Sequence, residues 1–194
     1  LKQALIKDKR HKDLYMLPAA QTRDKDAVSA EQMKNLCDEL RKDFDYILID
    51  CPAGIEQGFK NAIAGVDEAI VVTTPEVSSV RDADRIIGLL EANDIKEPQL
   101  IVNRVRIDMV KSGNMMSVED IVELLATKLL GVVPDDPDII ITPNKGEPAA
   151  MNTKSRIGTA YKNIAQRIQG YQVPLMQLET DNFITRFKKL FLNK

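Results

Sequence analysis

An α/β fold, a mainly parallel sheet flanked by helices, is what this sequence predicts, and three observations predict it. Short apolar runs alternate with stretches of helical periodicity along most of the chain. Two of the runs, 46–50 (YILID) and 68–73 (EAIVVT), are nearly unbroken in apolar character, as strands buried on both faces are. The spacing from each strand through a helix to the next strand suits right-handed crossover units.

The elements follow in order. Residues 13–17 (DLYML) read as a short strand stopped by Pro18. After the polar loop 19–28, Ser29 with Gln32 forms a capping box that starts a helix running to about Lys42. The strand 46–50 comes next, then a short helix over 57–65 and the strand 68–73. Val80, Ala83, Ile86, Ile87 and Leu90 give helical spacing over 79–91. Residues 99–103 (QLIVN) form another strand. Ser117 caps a helix to about Lys128, and 130–133 (LGVV) is a last strand ended by Pro134. Helical patterns occupy 136–142 and 155–169, and 172–179, containing Pro174, reads as a linker. The domain division is therefore 1–171, linker 172–179, and a separate helix at 180–194.

Composition narrows the function classes. The 194 residues carry a formal net charge of −2, so no global basic field argues for nucleic acid. A single histidine, His11, excludes a histidine triad or a multi-histidine metal site within one chain. Cys37 and Cys51 form no CxxC pair and read as free thiols of a reducing, cytosol-like compartment. There is no apolar run of transmembrane length and no signal-peptide pattern.

The segment 44–56 (FDYILIDCPAGIE) carries the chemistry. Its apolar strand delivers Asp50 to the C-terminal end, where parallel sheets place ligands. The short or rigid Cys51-Pro52-Ala53-Gly54 lets backbone approach a ligand closely. That is the arrangement of a Walker-B strand in P-loop NTPases, although an aspartate closing a strand can also simply cap a turn.

Four motifs stand in register: DCPAGIEQGFKNAIAG, VVTTPEVSSVRDADRIIGLLE, the pair Asn103-Arg104, and GVVPDD at 131–136. In this order they resemble the MinD family of the ParA/MinD group, over essentially the whole chain. The resemblance implies a P-loop ATPase that regulates division-site placement, with ATP and Mg²⁺ as cofactors. It implies Asp50 as the Mg²⁺-linked aspartate, acting through water, and Gly54 as the switch glycine near the γ-phosphate. It makes Asn103 and Arg104 base-side contacts, and Pro134, Asp135 and Asp136 the loop closing over adenine. Glu76 falls where the family reaches toward the nucleotide of the second subunit in an ATP-dependent homodimer.

Arg81, Asp82 and Asp84 lie off the apolar stripe of their helix, as an ordinary solvated face would. The resemblance makes them the surface for a MinC-like division inhibitor and a MinE-like activator. At the C-terminus, Phe183, Ile184, Phe187, Leu190 and Phe191 gather on one helical face, with Arg186, Lys188, Lys189 and Lys194 around it. An interfacial helix lying in anionic lipid has this pattern, and so does a basic helix docked on a core. The expected location is cytoplasm or plastid stroma, peripheral on the inner membrane face.

The family's glycine-rich phosphate loop with two lysines does not occur in these residues. There is no GxxxxGK[ST] match, and Asn144-Lys145-Gly146 is the nearest glycine-lysine context. The chain, beginning at Leu1, is therefore expected to be the C-terminal three-quarters of a longer ATPase. As given it is expected to be inactive, to lack a central strand of the sheet, and to aggregate through the open edge. A nucleotide-free adaptor keeping the partner surface and the tail is the alternative. A DNA-partition ATPase is disfavoured by the near-neutral charge and the Phe-rich tail.

Overall fold

The computed structural model describes residues 3–19, 28–51 and 54–176. They belong to two compact units, 1–66 and 67–194.

In the first unit, β1 (Ile6–Lys7) and β2 (Tyr15–Met16) form a small antiparallel hairpin. Its loop is organised by Asp8, whose carboxylate accepts from the backbone N–H of Arg10 and of His11, both at 2.8 Å. These bonds hold its pKa below the ordinary value. Helix α1 (Ala30–Leu40) starts at the expected capping box. The Gln32 N–H donates to Ser29 Oγ at 3.2 Å, and the Ser29 N–H donates to Gln32 Oε1 at 2.9 Å. Helix α2 (Gln57–Ile63) packs on α1, burying Cys37, Leu40, Phe59 and Ala62. Arg41 donates to the Gly65 carbonyl and Asn61 to that of Val28, which ties the helix ends together.

The expected strand 46–50 is not one. These residues join no ladder among the described residues, with Tyr46 58% and Leu48 81% exposed. A doubly buried strand needs ladder partners on both sides, and without them an apolar run has nothing to bury against.

The second unit holds the parallel sheet, in the order β3 (Ile70–Thr73), β4 (Gln99–Val105), β5 (Lys128–Pro134). Helices α3 (Val77–Ala92) and α5 (Val118–Leu125) pack on each other and on β3 and β5. Leu100, Val102 and Ile121 are fully buried. Helix α7 (Arg156–Ile168) lies on β5, where Leu130, Val133, Ala149, Ile157, Ala160 and Ile164 make a second core that Ile101 joins. At Gly131 any Cβ would collide with Ile164, so the absence of a side chain lets α7 close on the strand. Strand β3 departs from expectation: it buries only Val71 and Thr73, and Val72 is 58% exposed. Helix α5 ends three residues earlier than expected because Ala126 turns left-handed, φ +48°, so β5 begins at Lys128. Short α4 (Ile107–Lys111), unforeseen, precedes α5, and α6 (Asp138–Asn144) with a 3₁₀ turn (Ala149–Met151) precedes α7.

Candidate nucleotide-base site

The C-terminal ends of β4 and β5 hold irregular backbone. The parallel register runs Val102 to Val132 but then Val105 to Pro134, so β4 carries one extra residue at Asn103-Arg104. This is a β-bulge, the device that re-aims side chains at the rim of a sheet. Arg104 takes φ +56°, left-handed for a residue that has a Cβ. Asn103 supports it from within, its Oδ1 accepting the Arg104 N–H at 2.9 Å. Across the rim, the Asp135 N–H donates to the Val105 carbonyl at 3.0 Å, fixing the loop after Pro134. Arg104 Nε then stands 3.8 Å from Asp135 Oδ1, a loose, solvated pairing. Asp136 accepts the Asp138 N–H at 2.9 Å and so shapes the entry to α6.

Beside this rim lies an open cleft of about 710 Å³. Arg104, Asp135, Glu76, Met109 and Val110 of α4, and the loop 113–117 line it. Glu76 sits at the N-cap of α3, exposed. The loop is held by the Met116 N–H on the Pro75 carbonyl and by the Arg106 N–H on Met115 Sδ. Asn103, Arg104, Pro134, Asp135 and Asp136 are thus gathered at one rim, and Glu76 shares a cleft with two of them. The contributions of α4, Arg106 and Met115 were not anticipated. Nothing in the sequence around Gly113-Asn114 marks a cleft wall.

Asp50 and Gly54 belong to the first unit. Asp50 is exposed at the end of the apolar run, and Gly54 has φ +99°, a conformation that requires glycine although nothing would touch a Cβ there. Pro52 and Ala53 between them lie outside the described residues. Partial burial first, and Asp50 second, raise the Cys51 thiol pKa. Arg81, Asp82 and Asp84 are all exposed on α3, opposite buried Val80, Ala83, Ile87 and Leu90. Phe183, Ile184, Phe187, Leu190 and Phe191 lie outside the described residues.

The rim is a bulge presenting a carboxamide and a guanidinium, faced by an acidic loop and flanked by an open cleft. A triphosphate finds no comparable cradle among the described residues. Among the described residues, no three His, Cys, Asp or Glu side chains gather to hold a metal. Asp50 presents a single exposed carboxylate.

The ParA family model, described as NUBPL iron-transfer P-loop NTPase, matches residues 25–169. The septum site-determining protein MinD of Bacillus subtilis (strain 168) is 56% identical over 193 residues, 97% of this chain and 72% of that protein. The chain belongs to the MinD family. Among solved MinD structures, the MinC:MinD cell division protein complex of Aquifex aeolicus matches with TM-score 0.83 and 42% identity, covering 91% of this chain and 70% of that one. MinD of Pyrococcus horikoshii OT3, solved with Mg-ADP, matches with TM-score 0.74 and 26% identity, covering 87% and 68%. The MinD family is one of septum-site determination, and its P-loop NTPase fold brings nucleotide and ATPase chemistry as family properties.

Proposed function

We propose that the chain belongs to an ATP-switched, membrane-recruited regulator of division-site placement, which recruits a division inhibitor and cycles by ATP hydrolysis. The observation that carries this is the bulge presenting Asn103 and Arg104 beside Asp135 at the carboxyl rim of a parallel sheet, in a chain of the MinD family. In this reading the Asn103 carboxamide pairs with the adenine edge, which offers one donor and one acceptor. Arg104 and the Pro134–Asp136 loop enclose the ring, and Glu76 reaches toward the nucleotide of a second copy. Asp50 holds Mg²⁺ through water, and Gly54 meets the γ-phosphate with its N–H. When bound, Mg²⁺ neutralises charge on the phosphates; the residues here bind and orient the nucleotide around it.

The exposed trio Arg81, Asp82 and Asp84 is the docking face for a MinC-like inhibitor, and a MinE-like activator shares it. The tail at 180–194 lies in anionic lipid, peripheral on the inner face of the membrane. One short amphipathic helix binds weakly, so two tails in an ATP-dependent homodimer gain by avidity. The nucleotide-free adaptor keeps the same face and tail but recruits its partner without ATP.

One experiment separates these. The full-length gene product is used to pull down the cognate MinC with and without Mg²⁺ and ATP, as wild type and as Asp82→Ala. We expect recruitment that needs ATP and falls at least tenfold in Asp82→Ala, a loss of about 1.4 kcal/mol or more of binding free energy. Undiminished capture by the variant rejects the α3 face, and capture that ignores ATP makes the adaptor the better reading.

A further inference from the structure

The chain does not go free where α7 ends. Helix α7 closes at Gln169, Gly170 turns with φ +85°, and residues 171–176 double back as an extended strap. The Tyr171 N–H still caps the helix through the Gln166 carbonyl. Beyond it, one side chain holds the strap. Arg167 Nε donates to the Val173 carbonyl at 2.9 Å, and one terminal nitrogen donates to the Pro174 carbonyl at 2.6 Å. The other terminal nitrogen donates to the Leu130 carbonyl at 2.8 Å.

Leu130 is where β5 slips register, its neighbours Leu129 and Gly131 pairing with the consecutive Leu100 and Ile101. The bulge therefore supplies the third acceptor of the clamp. Pro174 brings an acceptor but no N–H of its own, so this stretch cannot extend the sheet as a normal strand. Met176 completes the attachment by packing on the core that α7 shares with β5. The guanidinium lies partly buried among these carbonyls, which lowers its pKa without removing its charge.

We infer that Arg167 is a positioning residue: by clamping the strap 171–176 to β5, it fixes the point from which the C-terminal segment leaves the domain and keeps its tether short. This rests on the tail binding lipid, as argued under Proposed function. With the strap pinned through Met176, six residues (177–182) separate the domain from Phe183, the first apolar residue of the tail face. With the strap released, twelve (171–182) do so. Effective concentration falls roughly as the −3/2 power of tether length, so doubling the tether weakens the second tail's engagement about threefold. A guanidinium suits the task because it sends three donors in one plane to three fixed acceptors. A lysine ammonium, a single point on a flexible stem, cannot reach all three at once.

The test uses the full-length gene product as wild type, Arg167→Gln and Arg167→Lys. Limited proteolysis reports on 171–176, hydrogen exchange and urea unfolding report on the domain, and co-sedimentation with phosphatidylglycerol-containing vesicles in Mg²⁺ and ATP reports on the tail. Both variants should open the strap, with proteolytic cleavage there at least tenfold faster. The α7 and β5 amides should remain protected, and ATP-dependent vesicle binding should weaken about threefold. A wild type lengthened by six Gly/Ser residues after Met176 should match that weakening with its strap still protected. Wild-type strap protection in both Arg167 variants overturns the clamp. Unchanged vesicle binding in the lengthened chain overturns the tether. If even the unaltered protein ignores the vesicles, the lipid reading fails and the tether's role with it, while the proteolysis data still judge the clamp.

Discussion

At the scale of single residues, Arg104 separates what the fold tolerates from what the site uses. Its left-handed backbone costs about 1–2 kcal/mol in a residue with a Cβ. Its loose pairing with Asp135, 68% and 37% exposed, returns little of that. Glycine at 104 removes the steric cost but adds about 0.5–1 kcal/mol of backbone entropy to the unfolded chain. Alanine keeps the strain and removes only the side chain. We therefore predict that Arg104→Gly unfolds at higher urea than Arg104→Ala, by about 1 kcal/mol. Both should lose adenine-nucleotide affinity to a similar degree in the full-length gene product. Equal stabilities would contradict a strained rim, and unchanged affinity in both would remove Arg104 from the base site. The pair Asn103-Arg104 was legible in the sequence as a candidate. Its conformation was not, because a bulge is set by the register of two strands, and one-residue slips leave no mark on apolar alternation.

At the scale of elements, the Ser29 capping box, the Ser117 cap and the helical stripes read correctly because they are local. Ser29 and Ser117 each accept an N–H three residues on, and Val80, Ala83, Ile87 and Leu90 are the buried face of α3. Residues 46–50 misled because strand burial depends on neighbours that no local pattern contains. The β1–β2 hairpin was half seen, since its second strand has the expected pattern but its pairing is held by the loop. That loop makes the hairpin sensitive to acid. The Asp8 carboxylate accepts the Arg10 and His11 N–H groups, with His11 Nδ1 3.0 Å away, and its folded pKa lies below the ordinary value of 3.8. A depressed carboxylate contributes stability that is present above its unfolded pKa and lost as pH falls through the folded one. Protection of the Asp8 amide, which donates to the Leu14 carbonyl at 2.9 Å, should therefore fall relative to its intrinsic exchange rate below about pH 4. In Asp8→Asn that acid-dependent step should vanish; if it persists unchanged, another group governs the loop.

At the scale of the molecule, the family and the α/β architecture were legible because four motifs keep their order and spacing over most of the chain. The division into two units was not, because it turns on which strands find partners. Its clearest consequence is β3. Among the described residues, only β4 pairs with it, which leaves one row of backbone groups open beside Val72, an apolar side chain 58% exposed. An open apolar edge is a template for pairing between molecules, and natural edges suppress this with an outward lysine. Val72→Lys should thus slow aggregation of the 194-residue chain several-fold, read by light scattering at fixed concentration and temperature. Because the side chain buries little, the substitution should shift the unfolding free energy by no more than about 0.5 kcal/mol. The neighbouring Val71, 7% exposed, is the control: Val71→Lys places a charge in the core and should unfold the second unit rather than protect it. Aggregation of Val72→Lys at the wild-type rate, with its stability intact, would mean that chains associate elsewhere. The next surface to change would then be α6, where Ile139, Ile140 and Ile141 are all exposed.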